Sequence, residues 1–170
     1  MMKLHSVINF VLFQAVWFLS LLLEEQSIFA TPLIIALMFY LSEQKKHDAI
    51  LLLKALPLGL FGEFIAVKLG LLEFHSYPFP IWLVFLWASL VLCINSSMSF
   101  LTSLKFWQAF LVCLAFAPAS YWAGARFGVL NLQLPLIQFW LIYGLIWASM
   151  FTLILFTNSK IKSVLNTKPL

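Results

Sequence analysis

Six long apolar runs follow one another along this chain with only short polar connections between them, and no other feature restricts its fold so tightly. Apart from the shorter second run, each is close to the roughly 20 residues that a helix needs to cross a hydrocarbon core about 30 Å thick. Composition closes off the soluble alternative. Apolar residues make up 64% of the chain and charged residues only 9%, with a mean hydropathy of +1.03. Ten Lys and Arg and six Asp and Glu side chains cannot cover a water-soluble globule, whereas a bilayer solvates the apolar surface directly. A length of 170 residues leaves no room for a separate soluble domain. The reading is an all-α polytopic transmembrane bundle forming a single domain over residues 1–170, with helices at 7–23, 27–42, 49–72, 80–98, 106–126 and 134–157.

The boundaries follow from local chemistry. The first run lies behind Lys3 and His5 but lacks a small-x-small cleavage site before Glu24-Glu25, so it reads as a retained helix. The second is short, with Pro32 tolerable near its start. Polar residues 42–48 separate it from the third, which carries Lys54, Pro57, Glu63 and Lys68. Residues 73–80 contain Pro78 and Pro80, each of which disfavours helix in the residue before it, so a turn at the membrane surface is expected there. Pro80 then suits a helix start, and Trp82 suits the headgroup level. No period of 20 to 50 residues is visible, and two halves of three helices would have opposite orientations.

Basic residues set the expected orientation. With the N-terminus inside, Lys3, Lys45, Lys46, Lys54, Lys105, Lys160, Lys162 and Lys168 fall on the cytoplasmic side, and only Lys68 and Arg126 fall outside. The net charge of +4 therefore reads as topology, and no nucleic-acid partner is expected. Cys93 and Cys113 lie within apolar runs, where thiols behave as small hydrophobes.

Glu63 stands out because an unpaired carboxylate in hydrocarbon costs about 2.5 kcal/mol or more, so it must be neutral, paired or facing a wet cavity. Gly59, Glu63, Ala66 and Gly70 follow helical spacing and present a stripe that another helix can approach closely. The functional reading is an acid that handles protons or binds substrate; the structural alternative is an interhelical hydrogen bond or ion pair. A second constellation runs from Ala117 to Gly128. Ser120 and Tyr121 offer hydroxyls beyond Pro118, and Arg126, the only arginine, suits a carboxylate or phosphate, or simply snorkels to the interface. Glu63, Ser120, Tyr121, Arg126 and Gln138 are thus the ligand-binding candidates, expected to share one outward-facing cavity. Asn9, Gln14, Asn95 and Gln108, with Ser96 and Ser97, form a structural polar layer nearer the cytoplasm.

There is no HExxH, GxSxG, P-loop or dinucleotide fingerprint, and His5, His47 and His75 are too dispersed to close on one ion, so no metal or other cofactor is expected.

Several of these pieces carry a resemblance: Asn9-Phe10 with Phe13-Gln14 and Trp17-Phe18, Gly62-Glu63, Pro80-Ile81-Trp82 with Leu86-Trp87, and Pro118-x-Ser120-Tyr121-x-x-Gly124-Ala125-Arg126-x-Gly128. On them the chain resembles the bacterial inner-membrane family catalogued as domain of unknown function 2878. It departs from that pattern in having Glu63 where Asp is expected and Phe116-Ala117 where a small residue usually precedes the proline. The resemblance implies a polytopic inner-membrane protein in a lipid-modification or stress context, with no established activity. Binding or movement of a lipid-like or small amphipathic molecule is the leading expectation, with membrane lipids as partners. An intramembrane enzyme using Glu63, or a proton-coupled small-solute transporter, is the alternative; transport by so short a chain would call for a homo-oligomer.

Overall fold

A computed structural model describes residues 4–167, so Lys3 and Lys168 of the charge pattern lie outside the described residues. Seven α-helices follow in order: α1 Leu4–Leu23, α2 Thr31–Tyr40, α3 Lys45–Lys68, α4 Ile81–Cys93, α5 Ser99–Ser103, α6 Phe106–Phe127 and α7 Leu136–Thr167. A 3-10 segment, Glu24–Phe29, and two strands, β1 Leu72–Phe74 and β2 Leu130–Leu132, complete the order. The architecture is an all-α bundle. Four of its helices, α1 with its 3-10 extension, α3, α6 and α7, are long and apolar enough to cross a membrane. Phe29, Leu33, Leu53 and Ile137 are between 73% and 79% exposed, an outside suited to hydrocarbon rather than water.

The second apolar run is not one helix. Glu24 takes a left-handed backbone conformation with φ 44°, the 3-10 segment follows, and Pro32 sits in the first turn of α2, where its missing N–H has no partner to lose. Thr31 donates from its hydroxyl to the Ser27 carbonyl at 2.9 Å and ties the two pieces together. Glu24 meets His75 at one end of the bundle, and Met38 packs with Leu92 and Cys93 toward the other. From Phe29 onward α2 carries the chain back toward the end at which α1 begins.

Three other boundaries differ from the sequence reading. α3 begins at Lys45, so Asp48 belongs to its first turn. α4 stops at Cys93 rather than near residue 98, because Asn95, Ser96 and Ser97 turn away, two of them to hydrogen-bond other helices, before α5 forms. The expected turn at 73–80 contains the end of β1, which pairs antiparallel with β2 in the register Leu72↔Leu132, Glu73↔Asn131, Phe74↔Leu130. Both strands follow a glycine that ends a helix. Gly70 (φ 65°) and Gly128 (φ 86°) hold left-handed conformations that let the next residue's N–H reach back to Ala66 and Gly124 respectively. Gly70 is therefore a helix cap, not part of a packing stripe.

These shared features mark a repeat. The units α3–β1–α4 and α6–β2–α7 run in the same direction and use the same pattern: Gly59, Gly62, Phe64, Ala66, Lys68, Gly70 and Leu72 in one, Ala117, Ser120, Trp122, Gly124, Arg126, Gly128 and Leu130 in the other. The strand register obeys the relation, since exchanging the units sends Leu72↔Leu132 onto Leu130↔Phe74 and leaves Glu73↔Asn131 in place. This exchange is the local two-fold of the antiparallel ribbon. The offset from Leu72 to Leu130 lies outside the 20 to 50 residue periods considered above, and the unit is two helices rather than three.

The two units do not pack alike across that axis. α3 lies directly on α7, whereas α6 makes little contact with α4. At Gly62 a Cβ would come within 2.2 Å of the Met150 sulfur, while its counterpart Ser120 faces an open cleft.

Candidate functional site

Four helices each bring one polar side chain to the same depth, roughly 10 Å, or one and a half to two turns, below the helix ends joined by the β ribbon. From α3 comes Glu63, only 1% exposed. The α4 residue Trp87 donates its indole N–H to Glu63 Oε1 at 3.2 Å. From α7 the Tyr143 hydroxyl lies 3.1 Å from both carboxyl oxygens, and from α6 the Tyr121 hydroxyl donates to Oε1. Among the described residues no cation pairs with Glu63. Three neutral donors do what water would do outside, and because each tyrosine hydroxyl also accepts, the cluster has partners for either form of the acid.

Packing fixes this geometry. A Cβ at Gly59 would lie 2.5 Å from the Trp87 ring, so the glycine is what lets the indole lie flat on α3 within reach of Glu63. Tyr121 and Tyr143 meet edge to face at 4.7 Å between centroids, and Phe139 stacks on Tyr143 at 4.9 Å.

On the far side of Tyr121 and Trp87 lies a cleft of about 630 Å³. It occupies the space where α6 would meet α4 if the repeat were packed symmetrically, and α1 closes it with Phe10, Phe13, Gln14, Trp17 and Leu21. Phe10 and Phe116 line it and are themselves exposed, which places its mouth on the side of the bundle. Glu63 is not on its wall but one layer behind, where it holds two of the wall's aromatic side chains.

A comparison with protein families matches residues 6–153 to the family described as "Protein of unknown function (DUF2878)". The chain belongs to the DUF2878 family. No curated protein and no solved structure matches it. The matched span of this DUF2878 protein contains the Glu63 cluster and the whole cleft wall.

Of the ligand-binding candidates, the DUF2878 chain brings Glu63 and Tyr121 into contact and places Ser120 on the cleft, its hydroxyl donating to the Ala117 carbonyl at 2.8 Å. Arg126 and Gln138 are exposed and are not on the cleft wall. Arg126 occupies the last turn of α6 as Lys68 occupies that of α3, where a cation complements the helix dipole. Trp87 and Tyr143 were missed; the available signal was an indole and a phenol inside apolar helices, the polar groups best able to reach a buried acid.

The polar layer at the other end differs in membership. Asn9 donates to the Leu92 carbonyl at 3.3 Å and accepts from the Ser97 hydroxyl at 2.6 Å. Asn95 donates to Asp48 at 3.0 Å and exchanges hydrogen bonds of 3.1 and 2.9 Å with Asn158, while Ser42 donates to Asp48 at 2.5 Å. Gln108 instead accepts from the Lys105 N–H at 3.0 Å as a helix cap, and Gln14 stands on the cleft. Asp48 and Asn158 are the members the sequence reading lacked. A polar pocket of about 470 Å³ adjoins this layer.

Proposed function

We propose that this chain is a polytopic bacterial inner-membrane protein that binds or moves a lipid-like or small amphipathic molecule, seated in the cleft between α1, α4 and α6. The cleft carries the reading. Its volume falls within the few hundred to roughly 1,000 Å³ typical of ligand sites, it is mostly apolar, and it ends on a few placed polar groups. A side-facing mouth suits a ligand arriving from the bilayer. In the N-in, C-in orientation favoured by the lysines, the ribbon and the Glu63 cluster lie in the outer half of the membrane. Membrane lipids are the natural source of ligand, and a homo-oligomer is compatible with the exposed apolar flanks.

The two tyrosine hydroxyls on Glu63 favour one alternative, an intramembrane enzyme or proton-coupled transporter in which they relay a proton to or from the acid. That reading predicts activity lost in Glu63→Gln and partly kept in Glu63→Asp.

The test compares membrane lipids from cells with the intact gene, a deletion, and the deletion complemented with Glu63→Gln at equal expression. A lipid species lost on deletion and not restored by the variant supports a lipid role through this cluster. Unchanged lipids in all three strains would overturn it.

A further inference from the structure

We infer that the cleft selects an uncharged molecule, an elongated hydrocarbon bearing a carbonyl or hydroxyl group, over phospholipids and fatty-acid anions. The inference rests on the binding reading above and adds the ligand's chemical class.

Charge is the first observation. Among the described residues, no Lys, Arg, Asp or Glu lines the cleft. Lys68 and Arg126, the cations at that end, are exposed on the last turns of α3 and α6. Glu63 is fully engaged by Trp87, Tyr121 and Tyr143. An anionic or zwitterionic headgroup drawn into this space would be stripped of water with no counter-charge to meet it.

The second observation is which polar atoms remain free. The Trp147 ring lines the cleft, but its indole nitrogen is buried by the protein beside the Tyr121 hydroxyl and is not offered to a ligand. The half-buried Gln14, across the cleft on α1, also lines it and supplies an amide able to donate or accept. A neutral amide on an uncharged wall recognises a carbonyl or hydroxyl.

Shape supplies the third. The α6 wall runs from Val112 to Gly124, roughly 18 Å at 1.5 Å per residue, long enough for an extended chain. Rings from Trp17, Trp82, Trp87, Phe116, Tyr121 and Trp147 face it, which favours planar or unsaturated segments.

Four bromine-labelled probes of equal chain length separate the classes: a methyl ketone, an alkane, a carboxylate and an alkyl phosphate. Bromine quenches indoles that it touches, and Trp17, Trp82, Trp87 and Trp147 all line the cleft. Saturable quenching of the purified full-length protein in detergent is expected to be about tenfold tighter for the ketone than for the alkane, a difference of roughly 1.4 kcal/mol. The two charged probes are expected to bind more weakly than the ketone. Gln14→Leu, which removes the amide from the cleft wall and keeps all four reporting indoles, should abolish the ketone's advantage over the alkane. Equal affinity for ketone and alkane, or tighter binding of carboxylate or phosphate, would overturn the class assignment while leaving the cleft a binding site. Absence of saturable quenching by any probe would overturn the binding reading itself. The ranking on the unmodified protein decides the matter even where the variant fails to fold.

Discussion

Glu63 and Tyr121 occupy the same position in the two repeats, 58 residues apart, and their side chains hydrogen-bond to one another. The contact joins corresponding turns of α3 and α6. Trp87 and Tyr143, at matching depths in the second helix of each unit, complete the arrangement. Its asymmetry is equally informative. Tyr143 from α7 closes on Glu63 from α3, but the mirror approach of α4 to α6 is replaced by the cleft.

Glu63→Gln leaves the volume unchanged but replaces one acceptor oxygen by an NH2 group that faces hydroxyl and indole donors. Stability in detergent, followed by denaturant unfolding, is expected to fall by about 1–3 kcal/mol. Tyr143→Phe, which removes the hydroxyl shared by both oxygens, is expected to cost a similar amount. A change within error for both would mean that the cluster contributes nothing to folding.

Gly59→Ala and Gly62→Ala are expected to differ despite similar crowding. At Gly59 the obstacle is the rigid Trp87 ring at 2.5 Å, whereas at Gly62 it is the flexible Met150 side chain at 2.2 Å. Gly59→Ala is expected to destabilise by about 1–3 kcal/mol and to shift Trp87 fluorescence as the indole leaves Glu63. Gly62→Ala should cost less, because Met150 can rotate aside.

Much of this was legible in the sequence, and what was not has physical causes. An acid in an apolar run announces itself, so Glu63 was visible, as were the hydroxyls near Pro118 and the helix start after Pro80. The partners were not, because Trp87 and Tyr143 are two aromatics among many in uniformly apolar helices where nothing separates a core face from a lipid face. Arg126 drew attention by being unique, yet its role matches that of Lys68 once the repeat is aligned. The repeat itself was hidden because it conserves size and shape, as in Gly62 with Ser120 and Phe64 with Trp122, rather than identity. The β ribbon went unseen since three-residue strands leave no periodic signature, and only Gly70 and Gly128 hinted at it.

Asn95 joins α3 and α7 at the other end of the bundle through Asp48 and Asn158. Asn95→Ala leaves Asp48 with Ser42 alone and removes both hydrogen bonds to Asn158, and is expected to cost about 2–3 kcal/mol. Asp48→Ala and Asn158→Ala, combined in a double-mutant cycle, should be non-additive by at least about 0.5 kcal/mol. Strict additivity would show that the hydrogen bonds do not act as one network.

Lys68→Gln and Arg126→Gln remove the last-turn cations of α3 and α6. Each is expected to lower stability by no more than about 1 kcal/mol and to leave probe binding in the cleft unchanged. A large loss of binding in Arg126→Gln would instead assign the ligand a charged group.

Occupancy of the cleft is read most directly by mass spectrometry of the molecules that co-purify with the protein gently extracted from its native membrane, compared with Ser120→Trp. A tryptophan there fills the space beside Tyr121 without touching the Glu63 hydrogen bonds. The predicted result is a near-stoichiometric uncharged long-chain molecule on the unmodified protein that is lost from an equally well-folded variant. The same molecules at the same level on both proteins would contradict a ligand in the cleft.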